Sequence, residues 1–148
     1  MAGDVRIAIA ADADLVRARA EARAIALGLG FSKTDATLIA TAISEIARNI
    51  LVHAGDGEIV LEAIAGDERQ GLRVVARDGG PGIRDLETAL RDGGSGRGGL
   101  GLGLPGARRL MDEFDVVCEL DSGTVVTMTK WRIRSSLERL QARRSRHG

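Results

Sequence analysis

Three short stretches of the chain hold residue types whose spacing suits phosphate chemistry. In Ser44-Glu45-Ile46-Ala47-Arg48-Asn49, a carboxylate and a carboxamide stand four residues apart, which on a helix puts both on one face. The Asn49 amide oxygen is a hard, neutral donor of the kind Mg²⁺ accepts alongside water and phosphate. Glu45 can take a proton from an attacking hydroxyl. Alone, such a pair carries little weight, because polar pairs are the ordinary decoration of exposed helix faces. Asp78-Gly79-Gly80-Pro81-Gly82 follows the apolar run Leu72 to Ala76. Its Asp-Gly and Pro-Gly steps read as a turn. They also allow Asp78 to accept from an exocyclic amine while the glycines let backbone approach a planar base. Gly98 to Gly106 alternates glycine with leucine and leads into a helix, so its N–H groups can form an anion site. A flexible linker would pair glycine with serine instead. The Gly-Lys-Ser/Thr of a P-loop is absent.

These stretches need elements to position them. Val5 to Ala10 alternates as a strand, and a helix follows, capped by Asp12 or Asp14, with Leu15, Val16, Ala20, Ala24 and Leu27 as its apolar set. A second helix begins near Ser32 or Thr34 and buries Leu38, Ile39, Ala42, Ile43, Ile46, Ala47 and Ile50. It ends at the turn Gly55-Asp56-Gly57, with His53 as a structural cap. Strands over 58–64 and 71–77 form a hairpin with a loop of about six residues. A polar segment over 85–97 has a short helical centre (Leu86, Ala89, Leu90). A third helix starts near Gly103 to Pro105 and runs through Met111, and strands over 114–120 and 124–131 make a second hairpin. The order β-α-α-β-β-α-β-β predicts an α+β fold: a two-layer sandwich with helices on one face of a mixed, mainly antiparallel sheet. It is not the alternating order of a dinucleotide-binding fold.

Bulk properties narrow the function. The chain has 148 residues, enough for one domain with a real core. With 21 basic and 21 acidic residues it carries no net field to attract nucleic acid, and at 2% aromatics it has no base-stacking platform. No apolar run approaches the roughly 20 residues of a membrane span, and no signal peptide is visible, so a cytoplasmic protein is expected. Cys118, the single cysteine, sits in an apolar run and reads as a buried thiol. Arginines crowd the end of the chain, which divides it into a domain over 1–131 and a basic tail over 132–148. The tail reads as a solvated helix, with docking to an acidic partner as the other option.

Taken in order, the E-x-x-x-N helix, the D-x-G-x-G turn, the G-x-G-x-G segment and Gly123-Thr124 resemble the Bergerat-fold (GHKL) ATP-binding superfamily, over nearly the whole chain up to Trp131. The resemblance implies Glu45 as general base and Asn49 as Mg²⁺ ligand. Asp78, supported by Gly80 and Gly82, is the implied adenine contact, with Thr124 as a second. Gly99, Gly101 and Gly103 are the implied phosphate segment. Within the superfamily, Ile43 to Ile50, Gly99 to Gly106, Leu110 to Phe114 and Thr129-Lys130-Trp131 look like the small bacterial serine/threonine-protein kinases of partner-switching modules. The nearest branch is the stressosome switch kinase. Such kinases are implied to use Mg-ATP to phosphorylate a STAS-domain partner, an anti-sigma-factor antagonist or stressosome scaffold, and the switch branch to activate a PP2C-type phosphatase. A homodimer stays open. The anti-sigma branch, which sequesters a sigma factor, and a nucleotide-gated binding module with little kinase activity are the rival expectations. One position departs from the pattern: where anti-sigma kinases carry an arginine for the γ-phosphate, this chain has Gly99. Arg97 is the candidate substitute, and a solvent-facing loop arginine is its plainer reading.

Overall fold

The computed structural model describes residues 4–81, 103–119 and 122–147. Its elements are β1 (Val5–Ile9), α1 (Asp12–Gly28), α2 (Lys33–His53), β2 (Gly57–Ala65), β3 (Arg69–Asp78), α3 (Gly103–Leu110), β4 (Glu113–Glu119), β5 (Gly123–Ile133) and α4 (Ser136–His147). The strands form one sheet in the order β1-β2-β3-β5-β4, and all four pairings are antiparallel. The segment over 85–97, with the helical centre expected there, lies outside the described residues.

Alternation decides which face of the sheet is covered. Ile7 and Ile9 of β1, Ile59 and Leu61 of β2, Leu72, Val74 and Ala76 of β3, and Val126 and Met128 of β5 point into one core. Onto them pack Ile39, Ile43, Ile46 and Ile50 of α2. The central helix α2 touches α1 on one side and α3 on the other. This is the two-layer α+β sandwich expected from the element order.

The predicted buried stripe of α2 holds, with Leu38 half-buried. That of α1 does not. Its buried residues are Ala18, Ala22 and Ala26, while Val16, Ala20 and Ala24 face outward and Leu15 and Leu27 are half-buried. Alanines at four-residue spacing let the backbones of α1 and α2 approach closely, and that fit outweighs the extra apolar area of Val16. Asp14, not Asp12, caps α1: its Oδ2 accepts from the N–H groups of Ala10 (2.9 Å) and Ala11 (3.0 Å). The first hairpin loop shrinks to residues 66–68, because Ala65 pairs with Gln70 and the Gly66 N–H donates to the Arg69 carbonyl at 2.9 Å. Met111 lies just beyond α3, though it is buried. Cys118 is partly exposed rather than buried, since β4 is an edge strand with a neighbour on one side only.

Helix α4 is tied to the sheet by polar contacts. Arg132 donates through Nε to the Leu29 carbonyl (2.8 Å) and through Nη2 to Gln70 (3.1 Å), and it forms an ion pair with Glu138 of α4. Arg139 of α4 meets Glu68 at 2.7 Å. Leu137 and Leu140 stay exposed. None of the described helices is long and apolar enough to cross a membrane.

Candidate active site

Helix α2 is the spine of the site. Ser32 caps it, its Oγ accepting from the Asp35 N–H at 3.0 Å. From Ala42 to Ala47 every residue is buried, because sheet, α1 and α3 enclose this stretch from different sides. Glu45 falls inside it, at 6% exposure. A carboxylate so buried must be satisfied by donors. Oε2 accepts from the backbone N–H of Gly103 at 2.8 Å, and Oε1 lies 3.3 Å from Nη1 of Arg48. Asn49 follows one turn after Glu45, half-buried, with no partner for its carboxamide among the described residues.

The residues expected at the base end also converge. Asp78 is the last residue of β3, paired across the sheet with Gly57 on one side and Thr124 on the other. It is half-buried, Thr124 is buried, and the two are cross-strand neighbours. One Asp78 oxygen, Oδ1, accepts from the Gly80 N–H at 3.0 Å and so fixes the turn. Gly80 lies against the end of α2: a Cβ there would stand 2.6 Å from the Cβ of Ala54. Gly123, at φ +108°, wedges against the backbone of Asp78, where an added Cβ would strike the Asp78 carbonyl oxygen. The Asp78 turn is therefore clamped between α2 and β5.

The structure brings Glu45 to Gly103 and Asp78 to Thr124 and Gly80, and α2 joins the two groups. Gly82, Arg97, Gly99 and Gly101 lie outside the described residues. His53, the last residue of α2, is exposed. Two partners had no assigned role in the sequence reading. Arg48 had a legible signal, since three-residue helical spacing brings it to Glu45. Ala54 had none: its role as floor for Gly80 depends on where a distant strand ends. Among the described residues no cluster of three or more His, Cys, Asp or Glu could hold a metal by itself. Any cation here would rest on a donor such as Asn49 plus oxygens from a ligand, which is how Mg²⁺ binds with phosphates.

The histidine kinase-like ATPase domain family matches residues 9–130, and the chain belongs to that family. ATP use follows from that membership. The chain is 48% identical over 101 residues to the serine/threonine-protein kinase RsbT of Bacillus subtilis, covering 68% of this chain and 76% of that one. It is 33% identical over 99 residues to an anti-sigma F factor of Caldanaerobacter subterraneus, covering 63% and 68%. An anti-sigma F factor of Oceanobacillus iheyensis is 28% identical over 103 residues, covering 65% and 69%. Family and relatives together mark an ATP-dependent enzyme of kinase type, in the switch-kinase branch that the residues around Glu45 and Gly103 resemble.

Proposed function

We propose that the chain transfers the γ-phosphoryl group of ATP to a serine or threonine of a STAS-domain partner in a bacterial partner-switching pathway. The observation that carries this reading is the buried Glu45 carboxylate against the N–H of Gly103, in the glycine-rich segment. It supports reading Glu45 as the base, since Gly103 is one of the three glycines expected to serve phosphate.

The layout along α2 supports a nucleotide lying lengthwise. Ala54, beneath the Asp78 turn, is nine residues beyond Glu45, about 14 Å at the helical rise of ~1.5 Å per residue. Adenine sits at the far end, its exocyclic amine donating to Asp78 and its edge meeting Thr124. The phosphates reach toward Gly103 and the neighbouring Gly99 and Gly101, with Asn49 between the two ends. Asn49 would hold Mg²⁺ through its carboxamide oxygen, and the metal would supply charge neutralisation to the phosphates. Glu45 accepts the proton of the acceptor hydroxyl, and the N–H of Gly103 helps to orient phosphate oxygens.

The partner expectations follow the same branch: a STAS-domain acceptor and, after its release, activation of a PP2C-type phosphatase, in the cytoplasm where ATP is supplied. The test is incubation of radiolabelled ATP with STAS-domain proteins encoded in the same genome. Label should enter one of them, and only with an intact Glu45. Absence of label in all of them, together with tight ATP binding, would leave a nucleotide-gated binding module. The anti-sigma F relatives favour one second reading, direct sequestration of a sigma factor. Co-purification with a sigma factor distinguishes it.

A further inference from the structure

The two oxygens of Glu45 are held by donors of different kinds. Oε2 is bound by the backbone of Gly103, the first residue of α3 and the last of the three glycines expected to serve phosphate. Oε1 is met by Arg48, a side chain of the same helix as Glu45. If that segment serves phosphate, as the proposed function requires, the N–H of Gly103 has two anions competing for one donor. A single N–H cannot be fully directed at both. The Arg48 contact does not draw on the Gly103 amide. It lies within α2, whose flanking residues Ile43, Ile46, Ala47 and Ile50 are fixed in the core. It therefore persists whichever way the Gly103 amide turns.

We infer that Arg48 is a positioning residue for Glu45, holding Oε1 so that the carboxylate keeps its aim when the Gly103 amide passes from Oε2 to the nucleotide. This rests on the reading of Glu45 as base. The consequence is a division of labour between the two oxygens. Oε2, once released by Gly103, is the lone pair that accepts the hydroxyl proton, while Oε1 stays anchored. Without Arg48 the released carboxylate keeps no donor among the described residues and can rotate away from the hydroxyl. Misplacing a reacting group by about 1 Å can cost ~100-fold in rate.

Arg48 is partly exposed, at 38% of its side chain, so other roles have to be separated from this one. A phosphate contact, replacing the arginine absent at Gly99, would act on ATP affinity. A docking contact would act on the KM of the protein acceptor. A positioning role acts on kcat and acts through Glu45.

The experiment compares wild type, Arg48→Ala, Arg48→Lys, Glu45→Gln and the Glu45→Gln/Arg48→Ala pair. ATP and a STAS-domain acceptor from the same genome are the substrates, and thermal melts check folding. The expected result for Arg48→Ala is a kcat lowered about tenfold or more, with both KM values unchanged. Arg48→Lys recovers most of the rate, and the double variant is no slower than Glu45→Gln alone. A readout that needs no acceptor is nuclear magnetic resonance during titration with a non-hydrolysable ATP analogue and Mg²⁺. The Gly103 amide resonance should move strongly while the Arg48 guanidinium resonance stays near its unliganded position. A raised KM for ATP or acceptor, an unchanged kcat, or a double variant slower than Glu45→Gln would overturn the inference. Wild-type turnover by Glu45→Gln alone is a different failure: it removes the base reading and this inference with it.

Discussion

The backbone N–H of Gly103 donates to Oε2 of Glu45 at 2.8 Å, joining residues 58 positions apart in sequence. This bond ties the start of α3 to the middle of α2 and gives a buried carboxylate a backbone donor. Glu45→Ala should therefore lower unfolding stability by about 1–3 kcal/mol, because the Gly103 N–H loses its acceptor. Glu45→Gln, which keeps an amide oxygen there, should cost less. Denaturant unfolding of the two variants measures the difference, and equal costs would mean that the bond adds nothing to stability.

The Asp78 turn depends on close backbone approach. Gly80→Ala would bring a Cβ to 2.6 Å from that of Ala54, an overpacking that costs about 1–3 kcal/mol. Because Asp78 Oδ1 is bound to the Gly80 N–H, the same change should shift the carboxylate and weaken ATP binding. Adding Ala54→Gly removes the clashing methyl but leaves the residue-54 Cα 2.9 Å from the new Cβ, so it should restore only part of both losses. Calorimetric titration with ATP checks this. Unaltered affinity in Gly80→Ala would separate the turn from the nucleotide.

What the sequence made legible here was local. The period of Ile39, Ile43, Ile46 and Ile50 specifies α2 and its buried face, and the strand alternation specifies which residues enter the core. The order of the glycine motifs identifies the candidate site before any coordinates. Three things depended on tertiary packing and could not be read. The alanine face of α1 wins over Val16 only because α2 lies close beside it. The choice of Asp14 over Asp12 as the cap required knowing where the chain turns after β1. The contacts of Glu45 with Gly103, and of Gly80 with Ala54, join segments far apart in sequence, and no local pattern encodes them. Arg48 is the intermediate case: its spacing was visible, but its contact with a buried Glu45 was not.

The ion pair between β5 and α4 offers a pH test. The Arg132 guanidinium beside Glu138, aided by a backbone hydrogen bond from Ser135, lowers the Glu138 pKa from 4.5 to about 2. The folded value lies below the unfolded one, so the contribution of the pair is fully present above about pH 4.5 and fades as pH falls through about 2. The resonances of the Arg132 side chain should stay constant down to about pH 4 and move only near pH 2. In Glu138→Gln that acid transition should vanish. A transition near pH 4.5 in the wild type would mean that the ion pair does not form in solution.

The cap of α2 is a control remote from the predicted chemistry. Ser32→Ala removes the acceptor for the Asp35 N–H and should destabilise the protein by about 1 kcal/mol. Catalysis below the melting temperature should be unaffected, since Glu45 lies several turns further along. Paired melting and transfer assays test this. A loss of turnover without a loss of stability would show that the start of α2 reaches the site.

The central claim is that Glu45 is the base of phosphoryl transfer and not merely part of nucleotide binding. The most direct measurement is single-turnover transfer from radiolabelled ATP to a STAS-domain acceptor by wild type and Glu45→Gln, with ATP affinity measured on the same preparations. The prediction is a transfer rate lower by about 100-fold or more, with affinity changed by less than about threefold. Transfer at the wild-type rate by Glu45→Gln would contradict the account.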